Sequence, residues 1–201
     1  MNLKFQYNKT YLQLLDKQLK IRLRALPTLK NKESALRMEV KAAKKKAETL
    51  ATDLEAAIKE REKDLMMWHE FDDSLVRIRE VKLRYKKIAG VKIPELDELI
   101  FDEVSFNVFA RPKWWLDGIE YLKKMLTLVI EQDLAQEKLE LLEYARKKTT
   151  QKVNLYEKVQ IPAYEDAILK IKRYLEDEDN LAKAAQKIVK NRQQKATEAS
   201  L

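Results

Sequence analysis

The chain has 201 residues, a formal net charge of +8 and 37% charged residues, with two glycines, four prolines and no cysteine. That composition excludes disulfides and thiolate metal sites, leaves too little glycine for a phosphate-cradling loop, and contains no apolar run near the ~18 residues of a membrane span. With 45% hydrophobic residues it is not the composition of a disordered polymer, and its poverty in glycine and proline favours long helices.

From the N-terminus, one heptad register holds from Leu12 to Asp64. Its a positions are Leu12, Leu19, Leu26, Glu33, Val40, Ala47, Leu54 and Arg61. Its d positions are Leu15, Arg22, Leu29, Leu36, Ala43, Leu50, Ala57 and Asp64. Most of these are apolar, which predicts a coiled-coil seam. Pro27 interrupts the helix pattern without shifting the register. The spacing runs on through Met67, Phe71, Leu75, Ile78 and Tyr85, which predicts an N-terminal coiled-coil arm over 1–87. Asp72-Asp73-Ser74 marks a candidate break and restart at 72–74. An arm of about 60 residues, at ~1.5 Å per residue, is roughly 90 Å long and is expected to protrude from any compact domain.

Residues 88–116 read differently. Val91, Ile93, Leu96, Ile100, Phe101, Val104, Phe106, Val108 and Phe109 are β-branched, aliphatic or aromatic, and Phe106 and Val108 alternate with polar neighbours. A central hairpin is predicted, with strands at 89–95 and 104–110 and Asp97–Asp102 as the connection. Pro94 then belongs at a strand end or an edge. Arg111, Trp114 and Trp115 come next. Adjacent tryptophans on a helix point about 100° apart, so one can enter the core. Two readings stand for the set: packing of a helix start onto the hairpin, or a contact for a partner, since Trp and Arg are enriched at binding hot spots. Asp117 fits the first turn of a helix carrying Ile119, Leu122 and Met125.

The C-terminal arm, 117–201, has its own seam. Leu142, Ala145, Thr149, Val153, Tyr156, Gln160, Tyr164, Ala167, Ile171 and Leu175 step by 3, 4, 4 repeatedly, nearer 3.67 than 3.5 residues per turn. A heptad arm that faces such an arm must shift register somewhere. Neither arm has a core of its own, so the two are expected to fold back antiparallel. Within the C-terminal arm Pro162 either ends the helix or sits at a bend. In a helix interior it costs about 3 kcal/mol, yet the apolar spacing continues in phase across it and no loop residues come after it.

Charge is uneven. Residues 1–46 hold thirteen Lys or Arg against three acids, and the tail from Asn180 to Thr197 holds Lys183, Lys187, Lys190, Arg192 and Lys195 with no acid. A solvated face, an anionic lipid surface and an acidic partner all fit. Nucleic acid fits poorly, because no aromatic residues interleave with the charges. His69 is the single histidine, so neither a transition-metal site nor a Ser-His-Asp set is expected, and no cofactor is implied. With no signal-peptide core in MNLKFQYNKTYLQLL, a soluble, intracellular chain is expected.

Two motifs carry a family resemblance. Val153-Asn154-Leu155-Tyr156-Glu157 followed by Ile161-Pro162 resembles the V-N-A-L-E-x-x-x-I-P signature of the D subunit of V-type (A/V-type) ATPases and ATP synthases. Ile88-Ala89-Gly90-Val91-Lys92-Ile93-Pro94 is similar to that family's I-A-G-V-K-x-P. Leu29-Lys30-Asn31-Lys32-Glu33-Ser34-Ala35-Leu36 looks like its N-terminal motif, with Glu33-Ser34 where the family has Arg-Asp. The resemblance spans the chain. It implies the fold class already reached: mostly α, a long antiparallel two-helix coiled coil of N- and C-terminal arms with a small central β-hairpin. It also implies a non-catalytic central-stalk rotor subunit of a proton- or sodium-translocating complex, peripheral to the membrane on the cytoplasmic side. Its partners would be the A and B subunits of the catalytic hexamer, the small F subunit of the stalk and the collar subunit of the membrane rotor. Periodicity alone leaves two alternatives: a generic coiled-coil scaffold, and the gamma-type shaft of an F-type enzyme. The residues in view are the seam (Leu12, Leu15, Leu19, Leu26, Leu29, Leu36, Val40, Leu50, Leu54, Val153, Tyr156, Ala167, Ile171, Leu175), the motif positions (Gly90, Val91, Lys92, Pro94, Asn154, Glu157, Ile161, Pro162) and the candidate partner contacts Arg111, Trp114 and Trp115.

Overall fold

The computed structural model describes residues 4–61, 71–72, 75–103, 112 and 114–198. In chain order they form α1 (Lys9–Arg61), β1 (Val76–Ile88), β2 (Val91–Glu103), α2 (Trp114–Asn154), a π turn (Leu155–Gln160) and α3 (Ile161–Glu198). The expected class is borne out: two long helical arms and one two-stranded antiparallel hairpin. The chain divides into two compact units, Met1–Asn31 with Thr149–Leu201, and Lys32–Lys148.

In the first unit, Asn8 caps α1 by accepting the Tyr11 N–H on its side-chain oxygen at 2.6 Å, which satisfies one of the orphan donors of the first turn. Leu15 packs with Ala167, Ile168 and Ile171 in a core flanked by Tyr11, Leu12, Leu19, Tyr164 and Leu175. Further along α1, Arg22 meets Gln160 and Lys30 meets Glu157. Partners fall in number as α1 rises, so the helices run antiparallel. Burial follows the two seams: every a and d position of α1 from Leu12 to Ala57 is buried or half-buried, as are the ten seam positions from Leu142 to Leu175.

The second unit repeats the principle and adds the hairpin. Leu36, Ala43, Ile93 and Leu142 form one core, with Ile88, Ala89, Val91 and Leu139 against it. Leu75, Val76 and Trp115 form another, with Phe71, Phe101, Trp114 and Ile119. Tyr121 donates its hydroxyl to the Ala57 carbonyl at 2.8 Å, so α1 and α2 are antiparallel here too. Each fully buried Leu or Ile of such a seam is worth about 2 kcal/mol. The polar seam residue Glu33 is accommodated by an i,i+4 pair with Arg37 at 3.3 Å.

The hairpin differs from the one expected. The stretch 76–87, expected in the N-terminal arm, lies in strand β1, and Asp97–Asp102, expected as the connection, lies within strand β2. The turn is Ala89-Gly90, with φ of 48° and 82°. Two consecutive residues at positive φ make the mirror-image two-residue turn whose twist matches paired strands. The second expected strand, 104–110, lies outside the described residues, as do His69, Asp73, Ser74 and Arg111. The Asp72 carbonyl accepts from Leu75 N–H at 3.3 Å, but the next element is strand β1 and not the expected helix restart.

Pro94 sits inside β2, opposite Tyr85. Ile88 and Val91 flank the two-residue turn and so form a hydrogen-bonded pair. Alternation then makes Lys86↔Ile93 bonded and Tyr85↔Pro94 non-bonded. The N–H that proline lacks would have pointed away from β1, so no ladder bond is lost.

Candidate functional site

Two places depart from plain coiled coil. The first is Pro162, where the helix does not end. The six residues Leu155–Gln160 widen to a π turn, and the Ile161 N–H reaches back to the Tyr156 carbonyl, five residues away. A π turn inserts one residue into the ladder. That moves the preceding carbonyls from where the proline ring would strike them, and Lys158, four residues before the proline, is exposed to water. The same insertion supplies the register shift that a heptad seam needs when it faces one of longer period. The motif Val153-Asn154-x-x-Glu157-x-x-x-Ile161-Pro162 brackets this turn from end to end. Val153 and Ile161 are buried on either side of it, Asn154 is its first flanking residue, and Glu157 on it pairs with Lys30 at 2.7 Å.

Arg22 of α1 lies across the turn. Its Nε donates to Gln160 Oε1 and its Nη1 to Gln18 Oε1, both at 2.7 Å, and to the Gln18 carbonyl at 3.0 Å. The guanidinium carbon lies 4.4 Å from the Tyr164 ring centre and 6.0 Å from that of Tyr156. A planar cation with a fixed fork of donors suits this mixture of amide oxygens and ring faces, which an ammonium would not. Beside it, Ala25, Thr28 and Leu29 of α1, with Lys152, Leu155 and Tyr156, line a cavity of about 560 Å³. Pro27 falls between those α1 residues, inside the helix. Both helices therefore depart from regular hydrogen bonding at one level of this unit. Arg22 and Gln160 were readable as seam positions, and a polar d residue opposite a polar seam residue was the signal for their bond.

The second place is the hairpin. β1 carries Arg77, Arg79, Lys82, Arg84, Lys86 and Lys87 against one acid, Glu80. β2 carries Glu95, Asp97, Glu98, Asp102 and Glu103 against one base, Lys92. Lys82 donates to Glu98 at 2.8 Å, Arg79 lies 3.8 Å from Asp102, and Lys138 of α2 lies 3.5 Å from Glu95. The bond to Glu98 holds the Lys82 ammonium charged to a pH above the ordinary lysine value. This exposed pair therefore persists through neutrality and is lost as pH rises through that raised value. Gly90, Val91, Lys92 and Pro94 of the second motif form the turn and the first strand residues, and of these Val91, beside buried Ile93, packs against the core of Leu36 and Leu142.

The candidate partner contacts separate. Trp115 is 2% exposed, so it is a core residue and offers no face to a partner. Trp114 is half-buried, and both rings lie against Phe71, with centroids 5.5 and 5.9 Å away. Among the described residues, no group of His, Cys, Asp or Glu is placed to hold a metal ion, and no helix is long and apolar enough to cross a membrane.

Comparison with known proteins matches this arrangement to a family. Residues 11–191 match the family model for the ATP synthase D subunit. The chain is 29% identical to the V-type ATP synthase D subunit of Borreliella burgdorferi over 190 residues, 94% of each chain. It is 27% identical to the protein of that name from Chlamydia abortus over 184 residues, 87% of this chain and 86% of the other. With the Chlamydia trachomatis serovar L2 protein it shares 30% over 161 residues, 76% of this chain and 77% of the relative. A match that runs through both seams, the hairpin turn and the π turn places the chain in the ATP synthase D-subunit family.

Proposed function

We propose that the chain is the central shaft of a V/A-type rotary ATPase. In this role it catalyses nothing itself. It transmits torque between ATP turnover in a hexamer of A and B subunits and ion movement through the membrane rotor, with a small stalk subunit and a collar subunit as its other partners. It works on the cytoplasmic side, peripheral to the membrane. The observation that carries this reading is the pairing of N- and C-terminal helices in both units. The seams are buried on the opposite arm and, in the second unit, on the hairpin as well, while the outer faces mix charged residues with exposed apolar ones such as Leu14, Ile21, Met38 and Leu181. The charged residues on those faces can make weak, salt-screened contacts with successive neighbours. The π turn adds a local asymmetry that lets one shaft offer different faces to three catalytic sites.

The test is binding of the purified chain, with and without the small stalk partner, to a reconstituted A/B hexamer, with ATPase rate followed in the same fractions. One chain per hexamer with altered turnover is expected. Failure to bind with either preparation would leave a generic coiled-coil scaffold as the better description.

A further inference from the structure

β1 has an outer edge that no strand covers among the described residues. From Val76 to Ile88 it is exposed except at its two ends, whereas β2 is half-buried or buried at both parities, from Ile93 to Leu96 and from Leu99 to Phe101. The hairpin therefore lies edge-on to the helices, β2 inward and β1 outward. The inward edge is closed by Pro94, and Glu95 and Leu96 line a small cavity there with Lys46 and Lys138. The outward edge is thirteen residues long and carries six cations. Among the described residues, Arg77, Arg84, Lys86 and Lys87 have no carboxylate within ion-pair range. Between the cations stand Ile78, Val81, Leu83 and Tyr85, from 38 to 66% exposed.

Exposed edges are ordinarily shortened, bulged or charged to stop them pairing. This one is bulged only between Ile78 and Glu80 and between Lys82 and Leu83; from Leu83 to Ile88 the register is unbroken. The non-bonded positions fixed by the turn are Leu83, Tyr85 and Lys87, so their N–H and C=O groups face outward. A second copy would bring an equally basic strand to this edge and is disfavoured by like charge. We propose that the outer edge of β1 is a docking edge for an extended acidic segment of a partner protein, taken on as a third strand. Main-chain bonds at Leu83, Tyr85 and Lys87 would hold the segment, and the flanking Arg and Lys side chains would select its carboxylates. The exposed apolar residues give it a surface to cover, which an edge charged purely for protection has no need of.

The test uses the full chain alone, so its outcome is independent of the shaft reading. The probe is a capped decapeptide of alternating Glu and Val, with the Lys–Val counterpart as control, followed by residue-resolved hydrogen exchange. At about 1 mM the Glu–Val peptide is expected to slow the Leu83, Tyr85 and Lys87 amides several-fold, and the effect is expected to shrink in about 0.5 M salt. The Lys–Val peptide leaves them unchanged. Tyr85→Pro removes the outward N–H and the protection; Tyr85→Thr keeps both. Should Tyr85→Pro disturb the hairpin, the double reversal Arg84→Glu with Lys86→Glu decides, because it must lose the Glu–Val response and gain one to Lys–Val. No protection, equal protection by both peptides, or protection of these amides by a dimer of the chain overturns the proposal.

Discussion

Arg22 of α1 and Gln160, the last residue of the π turn, are joined by a 2.7 Å hydrogen bond from the guanidinium Nε to the side-chain carbonyl, half-buried in the seam. Among the described residues no carboxylate takes part. The cation is satisfied by amide oxygens and by the rings of Tyr156, within the turn, and Tyr164, just after it. Arg22→Ala is therefore expected to cost about 2 kcal/mol in urea unfolding: about 1.5 for a charged hydrogen bond and the remainder from the ring contact. Arg22→Lys recovers less than half, because an ammonium cannot keep the bonds and the ring face together. An Arg22→Leu variant as stable as the parent would show that the amide bond contributes nothing.

Pro162 is expected to act on stability and on coupling in opposite directions. Proline in a regular helix interior is worse than alanine by about 3 kcal/mol, but the π turn already absorbs the clash, so Pro162→Ala is expected to stabilise by only about 1 kcal/mol. With the N–H restored, the six-residue turn is free to tighten to α geometry. Reassembled ATPase carrying Pro162→Ala should hydrolyse ATP with less ion movement per turnover. Unchanged coupling and torque would leave the turn as packing alone.

At the hairpin turn the strain is in the backbone. A Cβ added at Gly90 would find its nearest neighbour, Lys32 Nζ, at 3.5 Å, which is ordinary contact, but φ is +82°. Gly90→Ala is thus expected to destabilise by about 1–2 kcal/mol through the dihedral alone. Hydrogen exchange should report this first at Ile88 and Val91. A loss confined to α1 would contradict the assignment of the strain.

Gly118 is limited by space instead. Its added Cβ would stand 2.9 Å from Phe71 Cε2 and 3.6 Å from Trp114 Cζ3. Alanine gains about 1 kcal/mol of helix propensity, while overpacking costs about 1–3 kcal/mol. The Phe71 ring also touches Trp114 and Trp115, so it has little room to yield. Gly118→Ala is expected to lower the melting temperature and shift tryptophan emission to the red, and Phe71→Leu in the same chain should recover most of both.

The parts legible in the sequence are those with one buried line per helix. Leu15, Leu36, Ala43, Leu142 and Ile171 recur at a helical period because each meets one opposing arm, so spacing alone locates them. β1 is hidden from that reading for a physical reason. A strand packed by its edge buries neither face, and two bulges break what alternation remains. Leu75, Ile78 and Tyr85 then mimic helical steps. The acids of 97–102 resemble a loop because their partners, Lys82 and Arg79, stand on a strand whose own pattern mimics a helix. Ala89-Gly90 is a turn signal in plain view, and the apolar residues just after it disguise it as the start of a strand. The π turn leaves no mark of its own in composition. Its trace is the lengthened seam period around a proline.

Pro94 has one more effect. In polymer terms a sheet grows because each added strand offers a fresh reactive edge. This hairpin has one functional end: Tyr85 and its neighbours stand open, while the side carrying Pro94 is buried and lacks a donor. A unit of that kind terminates chains and cannot extend them. Copies of this hairpin therefore cannot string together into an extended sheet, although β1 keeps a long open edge in water.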